Sequence, residues 1–149
     1  MPNKAYLIVY DGKNILIGQG GKSGFKKVER QGYHLPGGSY ESDPISAVIR
    51  ELQEETGIDL DKSLIEEKAI QISDSGFTIN FYTAKVDSVE TLVKDFERPD
   101  VTNPYDEPFE SLMSLRSKDS WENENFSEEF KTDWFRLGLA AAKDRIDPK

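Results

Sequence analysis

The chain contains no cysteine in its 149 residues. Disulfides and thiolate chemistry are therefore excluded, and a reducing cytoplasm is the expected compartment. Long apolar runs are missing too. The stretch Ala5-Tyr6-Leu7-Ile8-Val9-Tyr10 is too short for a signal-peptide core with its flanks, and no later run approaches a membrane span. Positive charge is scarce: 19 Lys and Arg stand against 28 Asp and Glu, a formal charge of −9. A general nucleic-acid or anionic-membrane binder would need a net basic face, so neither partner is expected. Internal repeats and low-complexity segments are also lacking.

What is present suffices for one folded domain over residues 1–149. Apolar residues make up 36% and aromatics 11%, enough to bury a core. The apolar, β-branched runs 5–10 and 15–19 flank Asp11-Gly12-Lys13-Asn14, which predicts a hairpin. Residues 20–30 form a Gly- and Lys-rich loop carrying Lys22, Lys26, Lys27 and Arg30 against the single Glu29, a local positive island. Tyr33-His34-Leu35 reads as a short extended piece before Pro36-Gly37-Gly38, and two further strands are predicted near 64–73 and 77–86. Ser88 can cap a short helix bearing Val89, Leu92, Val93 and Phe96 at helical spacing. Residues 97–108, with three prolines and four acids, read as a loop, and 109–115 as a last strand. Ser127 can cap a C-terminal helix whose Phe130, Trp134, Leu137 and Ala141 form an apolar stripe packed on the core. Strands interleaved with two or three helices point to an α/β domain, a mixed sheet covered by helices.

The segment from Leu35 to Ile58 carries the chemistry. Asp43 can cap a helix, Pro44 suits its first position, and Gly57 suits the left-handed residue after its end. Between these marks Ile45, Val48, Ile49 and Leu52 make one apolar stripe. Arg50, Glu51, Glu54 and Glu55 are expected to gather on the opposite side. Glu51, Glu54 and Glu55 are spaced so that their carboxylates can converge, and their mutual repulsion can be relieved in part by Arg50 and far more by a hard divalent cation. Charged residues opposite an apolar stripe are also what an ordinary solvated surface helix displays.

Arg50-Glu51-Leu52-Gln53-Glu54-Glu55-Thr56-Gly57-Ile58 matches every fixed position in the second half of the Nudix box, Arg-Glu-apolar-x-Glu-Glu-x-Gly-apolar, and the preceding Leu-Pro-Gly-Gly resembles the usual entry into it. The resemblance implies an α/β/α sandwich around a mixed β-sheet. It also implies an Mg²⁺- or Mn²⁺-dependent hydrolase that cuts a phosphoanhydride bond in a nucleoside diphosphate derivative such as a nucleoside triphosphate, damaged nucleotide or nucleotide sugar. The box departs from the family pattern in one place. Gly38 to Arg50 is two residues short, so counting back from Arg50 puts Ser42 where a Glu belongs, with Glu41 the nearest acid.

The resemblance assigns metal ligation to Glu51, Glu54 and Glu55, with the carbonyl of Gly38 as a further ligand, and gives Arg50 the task of orienting the carboxylates. Asp106, Glu107 and Glu110 are candidates for a general base from the acidic loop, with Glu107 preferred. Arg30, Lys26 and Lys27 are candidate substrate contacts, Arg30 first because a guanidinium grips phosphate in a bidentate manner. His34 is assigned no chemistry, and Phe77, Phe81 and Tyr82 are assigned to the core ahead of base stacking. The alternative to a hydrolase is a catalytically idle Nudix-fold module that binds or senses a nucleotide. Family members are often dimers, which makes a homodimer an expectation.

Overall fold

The computed structural model describes residues 3–20, 32–74, 76–100, 108–126 and 133–148. β1 (Asn3–Tyr10) turns at Asp11 into β2 (Asn14–Gly20). The turn is held by the Asp11 carboxylate, which accepts from the N–H groups of Lys13 at 2.9 Å and Asn14 at 2.8 Å, a local motif that acidic turn residues favour. The second carboxylate oxygen accepts from Val89 N at 2.9 Å, so one side chain joins the hairpin to the start of a later helix.

β3 (Gly32–His34) and β4 (Gly37–Tyr40) follow, and helix α1 spans Pro44–Thr56. A 3₁₀ turn at Lys62–Leu64 leads to β5 (Ile65–Asp74) and β6 (Phe77–Lys85), then α2 (Val89–Lys94) and β7 (Ser111–Arg116). Helices α3 (Ser117–Ser120), α4 (Trp134–Ala141) and α5 (Lys143–Ile146) complete the order. The seven strands form one sheet in the order β3-β2-β1-β6-β5, with β4 pairing β1 and β7 pairing β2. The β1–β6 pair is parallel and every other pair is antiparallel. The sheet is mixed, as expected.

Side-chain alternation divides β1 between two cores. Ala5, Leu7 and Val9 face one way and pack with Val48 and Leu52 of α1 and Val89 of α2. Tyr6, Ile8 and Tyr10 face the other way and pack with Trp134, Phe135, Leu139, Ala142 and Ile146. The result is the α/β/α sandwich. Each fully buried side chain of this size contributes about 1.5–3 kcal/mol, and Val48 and Leu52 mark the face of α1 that points inward.

Two expectations need correction. Pro36-Gly37-Gly38 is expected only as the segment leading toward α1, yet Gly37 and Gly38 open a strand, with Ala5↔Gly38 and Tyr6↔Gly37 in register. The C-terminal stripe is also displaced. Leu137 is 47% exposed, and Ala141 is exposed, whereas Trp134, Phe135, Gly138 and Leu139 are buried. Gly138 sets this rotation: a Cβ there would lie 2.5 Å from the Phe81 ring, so the helix meets the sheet on its one side-chain-free position. Ser127 and Phe130 lie outside the described residues.

Candidate active site

Helix α1 has the ends its sequence predicts. Asp43 Oδ1 accepts from Ile45 N at 3.1 Å and Oδ2 accepts from the Ser46 hydroxyl at 2.6 Å. That hydroxyl, followed by burial and the Ile45 N–H, governs the Asp43 carboxyl and leaves it below its ordinary value. At the other end Gly57 takes φ 78° and donates its N–H to Gln53 O at 2.8 Å. The helix is thereby fixed in register against the sheet. Val48 and Leu52 are fully buried, and Ile45 and Ile49 pack against the same core.

The four charged residues divide between two environments. Arg50 is largely exposed, and its Nη2 lies 3.3 Å from Glu51 Oε1 while its Nε lies 3.9 Å from Glu54 Oε1. Glu51 and Glu54 are partly exposed, with side-chain values of 19% and 36%. Glu55 is different: it is 2% exposed, and its Oε1 accepts from Gly37 N at 2.9 Å. The expectation that Glu55 shares the outer side with Glu51 and Glu54 is thus corrected. Position 55 follows Val48 by seven and Leu52 by three, which at about 100° per residue places it on the margin of the buried stripe.

This bond anchors the start of β4. Gly37 has φ 145°, and a Cβ on it would come within 2.1 Å of Ala5 O, so any other residue would be strained and would clash. Leu7 N donates to Pro36 O at 2.8 Å, and the Nδ1 of buried His34 lies 2.6 Å from Leu35 O. With residues 35–37 held from three sides, Gly38 lies beside Glu51: a Cβ on Gly38 would sit 3.6 Å from the Glu51 carboxyl carbon. The peptide at Gly38 and the carboxylate of Glu51 therefore share one small volume, with Glu54 one turn away and Arg50 linking the two acids.

Phe109 N donates to Glu55 O at 2.9 Å, so the chain leaving the acidic loop docks at the C-terminal end of α1. Glu110 pairs with Arg98 at 3.3 Å. Asp106, Glu107, Lys22, Lys26, Lys27 and Arg30 lie outside the described residues. Glu41 is exposed and lines a cavity of about 470 Å³ together with Ser42, Asp43 and Arg50. Phe81 is fully buried and Tyr82 nearly so, and Phe77 packs on Trp134 at 5.1 Å between ring centroids; all three serve the core.

One polar feature escaped the sequence reading. Buried Asn80 donates to the Tyr40 hydroxyl at 2.8 Å and accepts from Gln71 Nε2 at 3.1 Å. The alternation Phe77-Thr78-Ile79-Asn80-Phe81 could have flagged a polar residue on the α1 face. No local pattern, however, pairs residues 40, 71 and 80.

A mixed sheet between helices, with a capped helix presenting Glu51 and Glu54 beside Gly37 and Gly38, makes an α/β/α sandwich. The NUDIX domain family matches residues 2–148, and the chain belongs to that family. It is a Nudix hydrolase by class; the family acts generally on pyrophosphate bonds in nucleoside diphosphate derivatives and generally uses divalent cations such as Mg²⁺ or Mn²⁺.

Solved structures share the fold at low identity. A MutT Nudix hydrolase from Burkholderia pseudomallei is 20% identical with a TM-score of 0.57, over 94% of this chain and 96% of that one. The NUDIX domain of Shewanella oneidensis NrtR, solved with ADP ribose, is 13% identical with a TM-score of 0.62, over 96% and 86%. A MutT/nudix family protein from Enterococcus faecalis is 17% identical with a TM-score of 0.52; the match covers 77% of this chain but only 43% of that longer one. Among curated proteins none matches the chain. No helix among the described residues is long and apolar enough to cross a membrane.

Proposed function

We propose that the chain hydrolyses a phosphoanhydride bond in a nucleoside diphosphate derivative, with Glu51, Glu54 and the Gly38 carbonyl holding a divalent cation. The observation that carries this reading is the approach of the Glu51 carboxyl to Gly38, with Arg50 reaching both Glu51 and Glu54. The donor chemistry fits: carboxylate and carbonyl oxygens suit Mg²⁺ or Mn²⁺, which retain several waters and need few protein ligands. Among the described residues no three acidic or imidazole groups are gathered to hold an ion, and Glu55 Oε1 is taken up by the Gly37 N–H. Glu51, Glu54 and the Gly38 carbonyl are the proposed protein ligands, and Glu55, the third carboxylate that the family resemblance assigns to the metal, is proposed here to brace the start of β4, which bears the carbonyl. When bound, the ion supplies charge neutralisation at the phosphates and a more acidic water.

The chain's own residues do the rest. Arg50 restrains two like charges that would otherwise splay. Phe109 N donates to Glu55 O, and Glu107, two residues earlier in the sequence, is the proposed acceptor of the water's proton. Arg30, with Lys26 and Lys27, is the proposed grip on the substrate's phosphates, supplying local positive charge that the −9 chain otherwise lacks. The cytoplasm is the proposed compartment, and a homodimer the proposed assembly.

The test is a panel of nucleotides incubated with Mg²⁺ or Mn²⁺, with products resolved chromatographically and Glu54→Gln as the blank. Release of a nucleoside monophosphate by the parent protein alone supports the reading. Tight nucleotide binding with no metal-dependent turnover would favour the idle binding module instead.

A further inference from the structure

The cavity of about 470 Å³ beside α1 is lined by Ser39, Tyr40, Glu41, Ser42, Asp43, Ser46, Ala47 and Arg50. Its size lies within the ordinary span of small-molecule sites, about 300–1,000 Å³. None of these residues except Arg50 has a task in the hydrolysis proposed above.

Its position ties it to the acids. Ser46 and Ala47 precede Arg50 by four and three residues, which puts them on the same side of the helix one turn toward its start, about 5 Å along the axis. Arg50 itself is the wall shared with Glu51 and Glu54. A substrate with its phosphates at those acids would reach this cavity with whatever group lies beyond them.

The lining selects the chemistry of that group. As carboxylates, Glu41 and Asp43 can only accept hydrogen bonds, and the Ser46 hydroxyl and the Ile45 N–H hold the Asp43 carboxyl below its ordinary value. Arg50, the one cation in the lining, is engaged by Glu51 and Glu54. A further phosphate is itself anionic, so it would meet repulsion from Glu41 and Asp43, with Arg50 already shared by two acids and only serine and tyrosine hydroxyls left to donate. Sugar hydroxyls are donors and acceptors together, matching two carboxylates and three serines. The Tyr40 ring offers an apolar wall for the carbon face of a sugar. It is held in place, since its hydroxyl accepts from Asn80, which in turn accepts from Gln71.

We infer that this cavity receives a polyhydroxylated group, and that the substrate is a nucleoside diphosphate joined to a sugar rather than a nucleoside triphosphate. The inference rests on the hydrolase reading above and names the substrate class of that same site.

The test uses matched pairs that differ only beyond the second phosphate: ADP-glucose against ATP, and UDP-glucose against UTP, each with Mg²⁺. In at least one pair kcat/KM is higher for the sugar by tenfold or more. Ala47→Leu fills the cavity while keeping a strong helix former, and it lowers that preference about tenfold. A second readout needs no turnover. By calorimetry, the Glu54→Gln protein binds the nucleotide sugar more tightly than the parent diphosphate, and adding Ala47→Leu removes that difference.

Equal or better hydrolysis of the triphosphate in both pairs overturns the inference. So does an Ala47→Leu effect that falls equally on both members of a pair. If no nucleotide is hydrolysed, the hydrolase reading fails separately, and the calorimetric comparison still decides whether the cavity takes a sugar.

Discussion

Replacing Glu55 with Ala separates a structural brace from a simple metal ligand. The Glu55 carboxylate is 2% exposed and accepts from the buried Gly37 N–H at 2.9 Å. Truncation removes a charge-assisted hydrogen bond and strands that N–H, a loss of ~2–3 kcal/mol for a buried donor. In a chain of 149 residues each kcal/mol moves Tm by about 2–4 °C, so the expected fall is about 5–10 °C. Glu55→Gln keeps an oxygen at the acceptor position and should lose less than ~1.5 kcal/mol. The assay is thermal unfolding with EDTA present, so that no bound ion contributes. Were Glu55 chiefly a third ligand, removing one of three neighbouring like charges would leave the metal-free protein unchanged, or steadier by a few tenths of a kcal/mol. A Tm for Glu55→Ala within 2 °C of the parent would refute the brace.

Three further outcomes follow from the same geometry. Gly138→Ala places a Cβ where the Phe81 ring lies and should cost ~1–3 kcal/mol by overpacking, read as a lower urea midpoint. Asp11 has a carboxyl that burial tends to raise, but the N–H groups of Asn14, Val89 and Lys13 outweigh burial and hold it below its ordinary value of 3.8. Its contribution is therefore complete above pH 3.8 and disappears as pH falls through the lower folded value; Asp11→Ala should cost ~1 kcal/mol at pH 7, a gap that closes below pH 4 in chemical denaturation. Arg50→Lys gives up the planar fork that reaches two carboxylates. It should lower kcat while Tm moves by little, since the Arg50 side chain is 58% exposed, as steady-state kinetics and a melting curve will record.

Helix α1 was legible because every signal for it is local. Asp43, Pro44 and Gly57 sit at the positions where cap, first turn and left-handed exit require them, and Val48 and Leu52 declare the buried side. The burial of Glu55 followed from the same periodicity but was obscured by its charge, which argues for the surface until its bond to Gly37 is seen. The strand at Gly37–Tyr40 was hidden for the opposite reason. Its glycines carry turn chemistry, and what makes them a strand is the register with β1, more than thirty residues away in sequence. The face of α4 was chosen likewise by Gly138 meeting Phe81, a contact between distant elements. The network of Tyr40, Gln71 and Asn80 depends on four strands, β4, β1, β6 and β5, pairing in that order, which no spacing encodes.

Steady-state hydrolysis of nucleotide substrates, compared between the parent and Glu54→Gln with and without Mg²⁺, tests the central assignment most directly. Glu54→Gln preserves the shape of α1 and removes one of the two carboxylates that Arg50 holds. The expected result is metal-dependent release of nucleoside monophosphate by the parent, a loss of several orders of magnitude in the variant, and melting curves within about 2 °C of each other. A variant that retains full turnover, or a parent whose turnover ignores EDTA, would contradict it.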